Sequence, residues 1–166
     1  MKFCPKCGNK VAAKALDGAT RFVCSNSECN FIHWDNPVPV VAGLVQYNDK
    51  YVIARNARWP KGIFSVITGY LENGEHPEDC VLRETKEELG LAGNISGFLG
   101  YHLFKEKNQL ILAFEVVATG NLKTNHELSE IKLLTPTELS KYDFSPLYIT
   151  QSIMFEWQKL HTATSV

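Results

Sequence analysis

Glu84, Glu87 and Glu88 stand at i, i+3 and i+4 in the run Arg-Glu-Thr-Lys-Glu-Glu. On a helix, which turns ~100° per residue, their carboxylates gather on one arc, while Val81, Leu82, Thr85 and Leu89 fall on the arc beside it. One face is built to pack and the other is strongly anionic. Carboxylates at this spacing repel by a few tenths of a kcal/mol per pair. A divalent cation removes that repulsion, and hard oxygen donors suit Mg²⁺ or Mn²⁺. Taken alone, such an acidic run is more often a solvated surface.

A second set of residues is softer. Cys4, Cys7, Cys24 and Cys29 give C-x2-C-x16-C-x4-C, two close pairs separated by enough chain to form a hairpin and return. Four thiolates satisfy tetrahedral Zn²⁺, and Pro5-Lys6 followed by Gly8 supplies a tight turn within the first pair. His33 is an alternative fourth donor. So few apolar residues surround these cysteines that the ion would supply most of the local stability. Cys80 lies one turn before Glu84, where neighbouring carboxylates would raise its pKa, and it reads as a packing residue.

The elements that must position these groups follow from the pattern. Residues 1–34 read as a small β zinc ribbon. Phe31–Pro39, FIHWDNPVP, reads as a linker, and residues 35–166 as an α/β unit. Val40–Tyr47 and Tyr51–Arg55 form a hairpin about Asn48-Asp49-Lys50, and Ile63–Thr68 is a further strand. Ile95–Lys105 and Gln109–Thr119 form a second hairpin, and Ile131–Leu134 is a weak strand. The acidic helix runs from Pro77 to Leu89, with proline in its first turn and Gly90 suited to its C-cap. A final helix covers Leu147–Leu160, with Ile149, Ile153, Phe155, Trp157 and Leu160 around its apolar side. The irregular alternation predicts a mixed sheet flanked by helices.

From Gly69 the chain reads GYLENGEHPEDCVLRETKEELGL, which resembles the Nudix box, G-x5-E-x7-R-E-U-x-E-E-x-G-U with U a bulky aliphatic residue. Gly69, Glu75, Arg83, Glu84, Glu87, Glu88 and Gly90 fill the fixed places, and Leu91 the last aliphatic one. Thr85 departs from the pattern, but its hydroxyl can bond back to the Val81 carbonyl and stay on the packed face. The resemblance implies an α/β/α Nudix sandwich in which Glu84, Glu87 and Glu88 hold catalytic Mg²⁺ or Mn²⁺, with the Gly69 carbonyl as a further ligand. It also implies that Arg83 orients the cluster by pairing with Glu75. An acidic residue from outside the helix would complete the site, with Glu127 favoured over Glu130.

The order of ribbon, linker and Nudix domain resembles both the NADH pyrophosphatase branch and a branch acting on FAD and ADP-ribose. The NADH signature SQPWPFPxS has no counterpart between Gly97 and Glu127, and the segments GYHLFKEKNQLILAFEVVATG and KYDFSPLYITQSI resemble the second branch. The expected reaction is hydrolysis of the pyrophosphate linkage in a nucleoside diphosphate derivative of FAD or ADP-ribose type. NADH hydrolysis, removal of an NAD cap from RNA, and a non-enzymatic nucleotide sensor are the alternatives. Arg55 and Arg58 are candidates for phosphate oxygens, and Tyr70, Tyr47, Trp59, Phe64 and Tyr101 for stacking on a base.

A net charge of −1 gives no bulk attraction for nucleic acid or an anionic membrane. No run approaches the ~20 apolar residues of a membrane helix, and the start of the chain has no secretory pattern, so a cytoplasmic address is expected. Apolar strands in a ribbon-bearing enzyme suggest a homodimer.

Overall fold

Asp17 and Gly18, both with positive φ (50° and 77°), turn β1 (Val11–Leu16) directly into β2 (Ala19–Cys24), the two-residue hairpin geometry that Asp-Gly favours. A two-residue strand, β3 (Ile32–His33), pairs with β2 and closes a three-stranded sheet. The segment expected to be only linker therefore contributes to the ribbon. The computed structural model describes residues 1–162 and divides into two compact units, Met1–Pro37 and Val38–Val166.

In the second unit Asn48 and Asp49 repeat the same device at φ 50° and 58°. They join β4 (Val38–Tyr47) to β5 (Lys50–Asn56), with Tyr47 opposite Lys50. The first half of β4 pairs with β6 (Ile67–Tyr70), which begins later than the hydrophobic pattern indicates. Residues 63–66 send Phe64 and Val66 into the core and pair with the sheet's backbone through the isolated Ser65–Ala54 bridge. After α1 (Pro77–Leu89) come β7 (Ala92–Phe104) and β8 (Gln109–Thr119), joined by a short 3₁₀ turn at Lys105–Lys107. Next follow β9 (Leu128–Leu134), α2 (Pro136–Lys141) and α3 (Tyr148–Thr162). The six-stranded sheet runs β7-β8-β4-β5-β9 with β6 on β4, and it is mixed because β4 and β8 are parallel.

Alternation along β4 builds a core on each face of the sheet. Val40, Ala42 and Leu44 pack with Leu139 of α2 and with Ile153, Met154 and Trp157 of α3. Val41 and Val45 pack on the other face with Val81 and Leu89 of α1. Helices therefore cover both faces, the α/β/α sandwich. On α3 the buried side is Thr150, Ile153, Met154 and Trp157, whereas Phe155 and Leu160, expected on it, are exposed. α2 is absent from the sequence expectation, although Thr135 and Glu138 make a reciprocal capping box at its start.

Gly43 sets how closely α1 approaches the sheet. A Cβ at this position would lie 2.8 Å from Val81 Cγ2, on a helix pinned at both ends of its packed face. Gly43→Ala is expected to reduce stability by about 1–3 kcal/mol, the usual cost of overpacking a filled core. Urea unfolding should show a lower midpoint at unchanged slope; an unchanged midpoint would mean the helix can retreat without loss.

Candidate active site and zinc centre

The four thiol sulfurs of Cys4, Cys7, Cys24 and Cys29 all lie within 4.8 Å of one another. Cys4–Cys29 is 3.8 Å and Cys7–Cys24 is 3.4 Å. A tetrahedral ion with Zn–S bonds of ~2.3 Å holds its sulfurs ~3.8 Å apart, so the set fits zinc. The first knuckle is shaped by Cys4 N–H donating to Asn9 O (2.7 Å) and Gly8 N–H to Cys4 O (2.9 Å), with Gly8 at φ 74°. The longer second spacing is absorbed by a turn in which Cys29 N–H donates to Asn26 O and Glu28 N–H to Asn26 Oδ1. The backbone N–H and side-chain amide of Asn9 hold the Cys7 thiol down, whereas burial and the neighbouring thiols push Cys24 and Cys29 up, as expected of clustered thiols. His33 stands outside the set, its Nε2 3.4 Å from Asp35 Oδ1.

α1 is well marked at both ends. Pro77 occupies its first turn with Glu78 and Asp79 beside the positive helix end, and Gly90 (φ 70°) donates its N–H to Lys86 O. Thr85 is fully buried and its hydroxyl donates to Val81 O at 2.7 Å, so the non-aliphatic residue costs the packed face no unsatisfied group. Arg83 takes Glu75 in a two-pronged pair, Nε–Oε1 2.8 Å and Nη2–Oε2 3.0 Å. Its Nη1 reaches Glu84 Oε1 (2.8 Å) and Glu87 Oε2 (3.3 Å). This guanidinium, with the Glu72 backbone N–H, holds Glu75 down at about 2. Cys80 is fully buried and its thiol is pushed up to about 12, by burial first and by Glu75 second, a different ranking from the carboxylate effect expected from sequence.

Gly69 lies on β6 against the Glu84 side chain, whose carboxyl carbon and oxygen occupy the space that a Cβ would fill. Glu88 is 6% exposed, and among the described residues no cation or hydrogen-bond donor pairs with its side chain. Burial, then the charges of Glu84, Glu127 and Glu87, push it up to about 8. Burial likewise raises Glu84. Oxygen donors crowded around an uncompensated negative cluster fit a hard divalent cation. Among the described residues only the cysteines form a tightly gathered donor set, while Glu84 and Glu87 are engaged with Arg83.

Glu127 reaches this cluster through backbone bonds that no sequence pattern announces. Lys123 N–H donates to Leu89 O and Asn125 N–H to Glu88 O, docking the segment on the last turn of α1. Glu127 N–H then donates to Asn125 Oδ1 (2.9 Å), and Ala57 N–H to Glu127 O (2.7 Å). The Asn-x-Glu spacing was the available signal, an Asx turn that orients the acid two residues on. Glu130 goes elsewhere, to Arg55 (3.4 Å), whose Nη1 also donates to Trp59 O. Arg55 is thus engaged within the fold, whereas Arg58 is exposed.

Trp59, Asn56, Thr68 and Leu128 line a cleft with Glu88. Of the other aromatics, Tyr70 is 59% exposed, beside Gly69, with its hydroxyl accepting from Gln109 Nε2. Tyr101 is exposed on β7, Tyr47 donates to Gly120 O, and Phe64 is core, which removes it from the stacking candidates.

Residues 37–157 match the NUDIX domain family, and residues 2–35 match the Nudix N-terminal zinc-ribbon family. The chain is 31% identical over 148 residues to the NAD-capped RNA hydrolase NudC of Vibrio atlanticus, covering 84% of this chain and 51% of that protein. It is 38% identical over 98 residues to the NAD-capped RNA hydrolase NUDT12 of Homo sapiens, covering 54% and 21%. The chain therefore spans about half the length of the NudC relative. Among solved structures, a NUDIX hydrolase from Nitrosomonas europaea superposes with TM-score 0.81 at 23% identity, covering 97% of this chain and 93% of that one. An ADP-ribose pyrophosphatase from Streptococcus suis gives 0.58 at 19% identity over 79% and 94%. These structural likenesses concern the fold. Among the described residues, no helix is long and apolar enough to cross a membrane.

Because the folded protein raises Glu88 from an ordinary carboxylate value to about 8, that residue's stability contribution is complete at low pH and lost as pH rises through 8. In magnesium- and manganese-free buffer, Glu88→Gln is expected to match the wild-type melting temperature at pH 4 and exceed it at pH 9. A difference independent of pH would contradict the buried, uncompensated charge.

Proposed function

The chain belongs to the Nudix family, and from that premise we propose that it is a divalent-metal-dependent pyrophosphohydrolase whose substrates join AMP through a pyrophosphate to a second group. The carrying observation is Glu88, a nearly buried carboxylate with Glu84 and Glu127 close enough to raise it and no cation of its own. In this reading residues 35–166 carry catalysis and residues 1–34 bind structural Zn²⁺.

Glu84, Glu87 and Glu88, with the Gly69 carbonyl, would hold Mg²⁺ or Mn²⁺. The bound ion supplies Lewis acidity, lowering the pKa of a ligated water and screening the charge of the two phosphates. The chain's own residues do the rest. Arg83, fixed by both oxygens of Glu75, sets the direction of Glu84 and Glu87. Glu127, held by Asn125 and Ala57, serves as the acid outside the helix, a ligand or the base for the attacking water. Tyr70 offers an exposed ring beside Gly69 for stacking, and Arg58 an exposed guanidinium for phosphate. The intact box weighs against a sensor role. Exposed Phe98, Tyr101 and Leu103 on the edge strand β7 support a homodimer.

The names of the curated relatives weigh towards an NAD-type dinucleotide, free or as the 5′ end of RNA, in place of the FAD or ADP-ribose preference drawn from sequence. The second reading, FAD or ADP-ribose, is favoured by the missing SQPWPFPxS segment. NAD, FAD and ADP-ribose would release AMP, and NAD-capped RNA would be left with a 5′-terminal adenosine monophosphate. Assayed with Mg²⁺ and with Mn²⁺ against NAD, NAD-capped RNA, FAD and ADP-ribose, the protein is expected to produce AMP, or AMP-terminated product, from at least one. Glu88→Gln should lower kcat by more than about 100-fold and Arg83→Gln by about 10–100-fold, the range for groups that orient metal ligands. Wild-type turnover by Glu88→Gln, or no pyrophosphate cleavage of any of the four, would overturn the proposal.

A further inference from the structure

The ribbon carries a charge and surface unlike those of the rest of the chain. Residues 1–37 hold five Lys and Arg against three Asp and Glu, while residues 38–166 hold twelve against fifteen. The small net charge of the whole protein conceals this asymmetry. Three large aromatics are exposed on the same 37-residue unit: Phe3 at 59%, Phe22 at 41% and Trp34 at 46%.

Basic groups stand beside two of them. The Arg21 guanidinium lies 4.6 Å from the centre of the Trp34 ring, and its Nη1 donates to Trp34 O at 3.0 Å. Lys14 is exposed and directly opposite Arg21 in the β1–β2 register, so it shares that face of the sheet. Phe3 is bridged to Lys10, also exposed, at the ribbon's start. An indole steadied by a guanidinium, with an ammonium along the same face, is the combination that binds single-stranded nucleic acid. The ring stacks on a base of any sequence, and the cations follow the phosphates.

We propose that the Lys14–Arg21–Trp34 face of the ribbon binds single-stranded RNA, the strand of a nucleotide-capped substrate. The inference rests on the reading of the active site as a hydrolase of AMP-linked pyrophosphates, and it names the macromolecular substrate class. A free dinucleotide has no strand to reach this face, so the ribbon would discriminate capped RNA from the small molecule through binding and leave the chemical step unchanged.

The test uses the full zinc-loaded chain. Fluorescence anisotropy with a labelled single-stranded oligoribonucleotide, read at several salt concentrations, measures binding without cleavage. Trp34→Ala is expected to weaken binding on the order of tenfold, the size of one base–aromatic stack, and Trp34→Phe to retain most of it. Lys14→Ala should weaken binding and reduce the salt slope by about 1. In the hydrolysis assay Trp34→Ala should raise KM for NAD-capped RNA and leave kcat/KM for free NAD unchanged. Zinc content equal to wild type excludes loss of the ribbon, and Lys14→Ala, far from the sulfurs in sequence, gives an independent reading.

Oligoribonucleotide affinity unchanged in Trp34→Ala and Lys14→Ala would overturn the proposal. So would equal binding to duplex RNA, or a Trp34→Ala effect on oligomeric state alone. Equal binding to single-stranded DNA would remove the RNA assignment. Failure to hydrolyse any AMP-linked substrate would instead remove the active-site reading, while the anisotropy result would still decide the ribbon.

Discussion

A single guanidinium is shared among the carboxylates of the acidic helix. Arg83 meets both oxygens of Glu75, one of Glu84 and one of Glu87, and nothing of Glu88. The consequences are opposite for the two ends of the cluster, since Glu75 is held down at about 2 and Glu88 is pushed up to about 8. Four carboxyl groups with one guanidinium leave an electrostatic deficit at a defined place, at Glu88. The rest of the domain can be understood as the means of keeping that deficit from relaxing.

Relaxation would be easy on an isolated helix, where each glutamate could swing into water. Gly43 lets α1 sit close against β4, and Gly69 admits the Glu84 side chain onto β6. Fully buried Val81, Thr85 and Leu89 fix the helix's rotation and so keep Glu88 in the cleft it lines with Trp59 and Leu128. At the far end, backbone N–H groups of Lys123 and Asn125 satisfy the carbonyls of Leu89 and Glu88. The same two bonds bring Glu127 towards the cluster and deepen the repulsion. Helix capping, which ordinarily stabilises, is here coupled to a local repulsion that protonation of Glu88 relieves and that a bound cation would also relieve.

Sequence showed the parts of this that depend on local periodicity. The bounds of the acidic helix, the split between its packed and anionic arcs, and the back-bond of Thr85 follow from residues within a few turns of each other. Both two-residue hairpins are held by Asp-Gly or Asn-Asp at positive φ, a local property too. What was not legible is set by pairing across the chain. β6 forms where β4 accepts it, at Ile67–Tyr70, and not where β-branched residues are densest. The Ile32–His33 strand exists because β2 offers an open edge. Phe64, one aromatic among several in sequence, is core because the sheet's second face closes over it. Glu127 and Glu130 look alike along the chain, and a strand register that gives Glu130 to Arg55 separates them. α2 is a different case, since its Thr-Pro-Thr-Glu capping box was a local signal passed over.

The two candidate metal sites differ in chemistry as well as in sequence. The ribbon's donors are soft sulfurs whose mutual spacing already approximates a tetrahedron, so little rearrangement accompanies an ion of the right size. The acidic cluster's donors are hard oxygens, partly committed to Arg83 and more open, which suits an ion that keeps several waters and exchanges with substrate. Thiolates favour zinc and carboxylates favour magnesium or manganese, so each site disfavours the other's ion. In the proposed reading the two sets divide the labour: stability in the ribbon would depend on retaining its ion, whereas chemistry at α1 would depend on a cation free to meet phosphate oxygens.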